Sequence, residues 1–505
     1  GGFGQHVTFS DSIYEGTAAH PEDFDLASIY PGGYTPKFAG QQDDFSSVVG
    51  VRSDTDGRFG WDVSFRYGRN NVDYTISETI NASLGVDSPT TFKPGGLAQR
   101  EIQVDAEASY NLANGIFADD ILIFGGASYR NEAYEITAGE RASYEVGPLR
   151  DLPAGSNGFQ GFSPDTAGNF ETGSYAVYLE AETSILEDWT LSAAGRYENY
   201  DAFGDNFSYK VATRYDIFDA LAVRGAVSTG FRAPAAGQLF GQSQTSQLVL
   251  QDFVLDAVLV PGSAAAQVFG STPLVPETSF SLSAGLVLNP GAGFSATIDF
   301  YRIDVDDRLL LTDAIQTTPA QRAQLAALGY PNGALVEQVR FFRNAIDTRV
   351  QGFDIVASYA FDWNENNRTD ISTSVAYNEQ IIRNNPGGVV PAGKVIEYEE
   401  GIPSWRGNLS LTHHVGDFRL MGRGVYYGEW TRIGGLHRDP AVLVDVEFEY
   451  AGIDNVSLAV GARNLLNKFP PDRGPALAAL GMIYDNHSVF GTSGGYYYAR
   501  ATYNF

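Results

Sequence analysis

The chain has 505 residues, with 33 Lys and Arg against 61 Asp and Glu, a net charge of −28. That acid excess excludes a phosphate-neutralising nucleic-acid surface and a polybasic membrane anchor, and the lack of cysteine excludes disulfides, thiolate metal sites and cysteine nucleophiles. No apolar run reaches the ~18 residues of a membrane helix, the nearest, Leu248 to Val260, being broken by Gln251, Asp252 and Asp256; a β-barrel needs no such run.

In chain order, residues 1–44 read as an external loop, with Gly2 to Phe9 the remnant of a further strand. Strands are predicted at 45–54, 60–80, 101–113, 119–140, 173–187, 189–204, 206–218, 221–234, 279–289, 294–311, 349–361, 368–384, 404–416, 418–430, 441–452, 456–470 and 494–505. Their signal is strict alternation. Phe207, Tyr209, Val211, Thr213, Tyr215 and Ile217 share one face, while Ser208, Lys210, Ala212, Arg214 and Asp216 share the other. Val442, Val444, Val446, Phe448 and Tyr450 likewise oppose Leu443, Asp445, Glu447 and Glu449. A soluble sandwich and a membrane barrel both produce this pattern. The strand lengths favour the barrel, because a tilted bilayer crossing takes about 9–11 residues and globular strands average nearer 5–6. Tyr and Phe gathered at strand ends suit interfacial girdles. The reading is therefore an all-β, transmembrane antiparallel β-barrel over 45–505.

The linkers alternate in length. Glu187-Asp188, Asp219-Ala220 and Gly416-Asp417 are tight turns, whereas 81–100, 141–172, 235–278, 312–348, 385–403, 431–440 and 471–493 are long. Outer-membrane barrels have this rhythm, with periplasmic turns and long external loops. The link at Gly204-Asp205 is short where a long one belongs. Seventeen strands, with the C-terminus periplasmic and residues 1–44 outside, predict the C-terminal part of a larger barrel. Within loop 312–348, Thr318 to Gly329 predicts a short helix, with a Thr cap, Pro319 in the first turn and Gly at its end.

The six histidines show no metal-ligand spacing, and no phosphate loop or dinucleotide fingerprint occurs. The expectation is a non-enzyme with no cofactor and no metal site. Arg196, Arg214, Arg224, Arg302, Arg423, Arg463 and Arg500 are read as inward, either docking a plug or guiding an anion, or paired with acids on neighbouring strands; the acid excess favours pairing. Ligand contacts are placed on the outer rim at Phe240, Gln242, Tyr330, Tyr427, Trp430, Tyr484 and His487, because aromatic faces stack and amides both donate and accept. Packing of loop on loop explains the same residues.

Several segments carry a family resemblance. Gly230-Phe231-Arg232-Ala233-Pro234, Pro276-Glu277-Thr278-Ser279, Tyr301 to Asp307, Thr348 to Asp354, Asn464-Leu465-Leu466-Asn467-Lys468-Phe469-Pro470 and the closing Tyr503-Asn504-Phe505 resemble, in order and spacing, motifs of TonB-dependent outer-membrane receptors. The resemblance implies a 22-stranded barrel, a plug from a preceding region or another chain, the inner-membrane TonB complex as energy source, and the barrel-assembly machinery as a partner beside outer-membrane lipid. It further implies active import of a scarce, bulky nutrient — siderophore, glycan, peptide or cobalamin — across the outer membrane of a Gram-negative bacterium. A passive porin or structural barrel is the alternative, and a secreted β-rich hydrolase would need a carboxylate pair that is not evident.

Overall fold

Side-chain alternation gives each long segment two unlike faces, and a segment with two unlike faces must pair edge to edge with its neighbours. The computed structural model describes residues 29–31, 33–53, 57–149, 154–249, 252–432, 435–472, 483–484 and 488–504. Its strands are β1 (Lys37–Arg52), β2 (Phe59–Ser77), β3 (Thr91–Leu112), β4 (Ile121–Ala138), β5 (Gly168–Leu186), β6 (Trp189–Tyr200), β7 (Gly204–Phe218), β8 (Leu221–Arg232), β9 (Ser243–Val249), β10 (Asp252–Val258), β11 (Glu277–Gly291), β12 (Phe294–Leu311), β13 (Ile315–Gln316), β14 (Val336–Arg340), β15 (Phe342–Asn364), β16 (Asn367–Asn384), β17 (Trp405–Val415), β18 (Phe418–Tyr427), β19 (Trp430–Arg432), β20 (Leu436–Arg438), β21 (Ala441–Ile453), β22 (Val456–Arg463) and β23 (Tyr496–Tyr503). Seventeen of them form one antiparallel wall, each paired to the next wall strand along the chain, with β9, β10, β13, β14, β19 and β20 set apart in the loops. Among the described residues no pairing joins β1 to β23.

The wall strands fall where alternation placed them, with differences of extent: β3 starts at Thr91 and β15 at Phe342, ten and seven residues inside stretches read as loops 81–100 and 312–348. β1 begins at Lys37, inside the stretch read as external loop, and β22 stops at Arg463, short of residue 470. The last of these has a local cause. Asn464 and Asn467 adopt left-handed φ values of 49° and 52°. The Asn464 side chain accepts from Lys468 N at 2.9 Å and donates to Lys468 O at 2.7 Å. The Asn-Leu-Leu-Asn-Lys motif is thus a strand-ending turn.

Register assigns the faces. One carries Val63, Phe65, Val104, Val177, Leu179, Phe207, Val211, Leu282, Leu286, Phe300, Leu409, Leu411, Phe448 and Val460, all exposed. The other carries charge. Arg214 meets Asp216 at 2.7 Å, Arg224 meets Asp299 at 2.6 Å, and Asp445 takes the Arg423 guanidinium. Arg500 lies 3.2 Å from both Glu447 and Glu449, and Arg196 lies 3.0 Å from Glu198. Exposed apolar side chains belong against lipid and ion pairs against a wet lumen. Two aromatic bands edge the apolar face. Trp61, Trp189, Tyr215, Tyr359, Phe361, Phe418 and Tyr503 lie toward the tight turns; Tyr67, Tyr129, Tyr175, Phe207, Phe280, Phe300, Tyr426 and Tyr497 lie toward the long loops.

Arg302 corrects one expectation. It follows Phe300 at a spacing of two, with no bulge between, and opposes Leu282 on β11. It therefore lies on the outward face, beyond the aromatic band, where Arg302 and Arg349 both bond Asp304, at 2.8 and 2.6 Å. Arg69–Glu135 at 3.0 Å and Arg100–Glu171 at 2.9 Å occupy the same level on β2 to β5. Alternation identifies two faces but not the height at which lipid ends.

Glycines let the lumen wall cross-link over one strand. Gly461 sits opposite both Glu447 and Tyr498, and the Tyr498 hydroxyl donates to Glu447 at 2.5 Å across it. Gly126 does the same for Tyr178 and Glu107, and Gly285 lies between Arg224 and Asp299. A Cβ at Gly461 would stand 2.5 Å from the Tyr498 hydroxyl.

Two outcomes follow. Val446→Arg, outward on β21, should cost about 2–4 kcal/mol near the bilayer midplane, read by urea unfolding from lipid vesicles; an unchanged midpoint would place Val446 on the wet face. Gly461→Val should cost about 1.5–3 kcal/mol through the displaced hydrogen bond to a charged acceptor, and Tyr498→Phe should abolish most of that difference in the same assay.

Candidate functional site

The long loops build an ordered cap rather than a fringe. β13, β14, β10 and β9 form a four-stranded sheet from two loops far apart in sequence, with β10 parallel to β14. Leu255, Ala257, Leu259, Ala266, Leu325, Val336, Val339 and Phe341 are buried together as its core. Ala266 comes from α2 (Ala264–Gln267) and Leu325 from α3 (Pro319–Ala327), the helix predicted from sequence. Its cap forms as read: Gln321 N donates to Thr318 Oγ1 at 3.3 Å, Thr318 N donates to Gln321 Oε1 at 2.9 Å, and Gly329 takes a φ of 75°. The buried Asp256 pairs with Arg340 at 3.0 Å; burial raises its carboxyl pKa and the guanidinium opposes that rise.

A cleft of about 220 Å³ opens where this cap meets loop 141–172. Its walls include Tyr144, Gln160, Phe162, Ser163, Asp165, Thr166, Gln242, Gln244, Tyr330 and Asn332. Loop 141–172 is fixed by its own backbone: Ser156 N and Gly161 N both donate to Ser143 O, at 3.0 and 2.8 Å, and Phe162 N donates to Pro94 O at 2.9 Å. Gly155, with a φ of 80°, leaves room for the Gln160 side chain, which a Cβ there would meet at 2.5 Å. From the other side Gln242 Nε2 donates to Thr166 O at 3.2 Å, Gln244 Nε2 donates to Pro331 O at 2.8 Å, and Asn332 Nδ2 donates to Gln244 Oε1 at 3.2 Å. Tyr330 packs against the cap core while lining the cleft; burial pushes its phenol up to about 12, with the Gln244 amide opposing.

The described sequence candidates divide among four places. Gln242 and Tyr330 meet in the cleft. Phe240, on α1 (Ala236–Phe240), stacks on Phe170 with centroids 5.2 Å apart. Tyr427 and Trp430 belong to a separate cluster with Phe490 and Ala441, in which Trp430 is buried, so its ring serves packing. Tyr484 stacks on Phe469 at 5.2 Å, and His487 lies outside the described residues. Tyr144, Gln160, Phe162, Ser163 and Asn332 were not singled out from sequence. The available signal was the run Gly155-Ser156-Asn157-Gly158-Phe159-Gln160-Gly161-Phe162, whose glycines permit close backbone approach. A more apolar hollow of about 390 Å³ lies beneath α4 (Ala392–Glu400), lined by Leu310, Ile346, Ile382, Val390, Tyr398 and Ile402. No group of three or more His, Asp or Glu suited to a metal ion occurs among the described residues.

A lipid-facing wall of long antiparallel strands with lumenal ion pairs and an ordered cap of loops defines the class as an outer-membrane β-barrel. The chain matches the family model "TonB dependent receptor-like, beta-barrel" over residues 2–465, and it belongs to that family. It is 27% identical over 135 residues to the iron-regulated outer membrane virulence protein of Vibrio cholerae serotype O1, a match covering 27% of this chain and 18% of that one. It is 37% identical over 67 residues to the vitamin B12 transporter BtuB of Photobacterium profundum, covering 13% of this chain and 11% of that one. The fold superposes on the ferric enterobactin receptor PfeA of Pseudomonas aeruginosa with a TM-score of 0.62 at 14% identity, covering 98% of this chain and 65% of that one. The chain thus spans less than two thirds of each of these three proteins. It is an outer-membrane protein of the Gram-negative type, in a family of transporters and receptors rather than enzymes.

Tyr330 offers a pH test of the cap. Its folded phenol pKa, about 12, exceeds the ordinary 10.0 expected when unfolded. Its contribution is complete below the unfolded value and is lost as pH rises through the folded one. An alkali-tolerant protease should cut loop 312–348 faster at pH 11 than at pH 9. Tyr330→Phe should flatten that difference; an undiminished one would assign the effect to another group.

Proposed function

We propose that the protein imports a scarce, bulky nutrient across the outer membrane, using energy passed from the inner membrane by the TonB complex, with a plug domain completing the gate. Family membership over most of the chain carries this reading. Three relatives point the same way by name: one is iron-regulated, one is a vitamin B12 transporter and one is a ferric enterobactin receptor. The wall adds a physical argument. The seventeen wall strands among the described residues fall in the range of about 16–18 that leaves an aqueous channel, and the 22-stranded barrels of outer-membrane transporters are wider still and hold a plug in the lumen. The nutrient is a siderophore, glycan, peptide or cobalamin. Recognition begins on the cap made by loops 141–172, 235–278 and 312–348, where Gln242 and Tyr330 converge.

A passive porin is the competing reading, and energy dependence separates the two. Uptake into cells carrying the whole protein should fall to background after deletion of the TonB complex or addition of a protonophore. Flux that survives both treatments and scales linearly with external concentration would identify a passive channel. Removing Gln242 and Tyr330 together should raise the half-saturating concentration for uptake while leaving the amount of folded, heat-modifiable barrel unchanged.

A further inference from the structure

The cleft where the three loops meet has a chemistry that selects among nutrients. Its lining holds four side-chain amides, Gln160, Gln242, Gln244 and Asn332, three serine and threonine hydroxyls, Ser163, Thr166 and Ser243, and the rings of Tyr144, Phe162 and Tyr330. Asp165 is the one carboxylate in that lining, and no lysine, arginine or histidine contributes to it. An anion entering such a site would lose its hydration and gain no counter-charge, in a chain whose net charge is already −28. A cation would find only the exposed Asp165. A purely apolar ligand would leave the amides unpaired, and the hollow beneath α4 suits it better.

The site is also built with bonding capacity to spare. Gln160 is buried, at 5% exposure, yet its side-chain oxygen has no hydrogen-bond partner among the described residues, and neither does the Ser163 hydroxyl. Loop 141–172 is held by backbone bonds that use neither atom. An unpaired buried acceptor and an unpaired hydroxyl in one lining, together with amides that donate and accept, are matched by vicinal hydroxyls. The tyrosine and phenylalanine rings offer apolar faces to the C–H face of a pyranose. The volume of about 220 Å³ falls below the ~300 Å³ at which pockets start to enclose a drug-sized ligand. That suits one residue of a longer molecule.

We infer that this cleft binds a single neutral sugar residue of a glycan captured at the outer rim. The inference rests on the import reading and narrows it to one substrate class.

The test uses the whole protein, purified in detergent and labelled, on an array of neutral and uronate-containing oligosaccharides. Titration calorimetry then follows on the neutral glycan that binds best. Neutral glycans should be retained and their uronate counterparts should bind about tenfold or more weakly. Gln242→Ala with Asn332→Ala should weaken the best ligand about tenfold, the loss of roughly two hydrogen bonds. Ser163→Ala removes a hydroxyl that holds no loop contact, so it decides the matter if the double variant misfolds; it should weaken binding about threefold. An array with no neutral ligand, a preference for uronates, or affinities untouched by Ser163→Ala in a folded protein would overturn the assignment. Energised uptake of a nutrient that is not a glycan would leave import standing and the cleft assignment refuted. Glycan binding without energy-dependent uptake would do the reverse.

Discussion

Hydrocarbon offers a peptide group nothing to bond, and every other feature of the wall answers to that constraint. Each strand crossing the bilayer must bond on both edges, so the chain runs as a meander of neighbouring antiparallel strands. With the backbone consumed in this way, specificity passes to the side chains, whose period of two separates lipid from lumen. The lumenal half then faces its own problem, since charge in a low-dielectric wall must be matched. The answer is dense local pairing. Arg419 bonds Glu447 and Glu449, Arg130 meets Glu101 and Glu132, and Arg500 reaches both glutamates from β23. Where neighbouring strands do not supply the partner, glycine clears the strand between, as at Gly126, Gly285 and Gly461.

The strands are longer than the lipid requires. β3 has 22 residues and β15 has 23, roughly double a tilted crossing of about 9–11. The surplus rises on the loop side, where the outward face changes from Phe300 to Arg302 and Asp304 within four residues. This collar carries the loops. Asn344 at the foot of β15 accepts from Val275 N at 3.0 Å and donates to Val275 O at 2.9 Å, tying down the return of loop 235–278. Glu277, buried at the start of β11, accepts from Leu309 N at 2.7 Å. The Pro-Glu-Thr-Ser segment, noticed in the sequence only as a motif, is therefore a clamp between the collar and the strand that follows.

How much of this was legible depended on range. Alternation at Phe207 to Ile217 or Val442 to Tyr450 is local, and it placed the wall strands and their lipid-facing residues. The cap on α3 is local too, spanning Thr318 to Gln321. Arg302 failed because a periodic pattern names faces without naming where the membrane stops. The four-stranded cap sheet was illegible because β10 pairs in parallel with β14, about 80 residues away, and no spacing rule reaches that far. Among the rim residues, Gln242 and Tyr330 came together, whereas Trp430 found a hydrophobic partner in Phe490. An aromatic on a long loop serves packing as readily as binding, and composition alone does not separate the two.

The division between wall and cap also bears on where selectivity can reside. A lumenal arginine such as Arg224 is committed to Asp299 across Gly285, and altering any of the three disturbs the other two. The cleft residues carry fewer obligations. Gln242 and Gln244 each make one donated bond to a backbone carbonyl, and Gln160 keeps an oxygen unspent. Side chains with spare valence on a scaffold held by backbone bonds can change without unfolding what supports them. A wall that must remain paired in lipid thereby leaves the side chains of its rim, where recognition is proposed, free to vary.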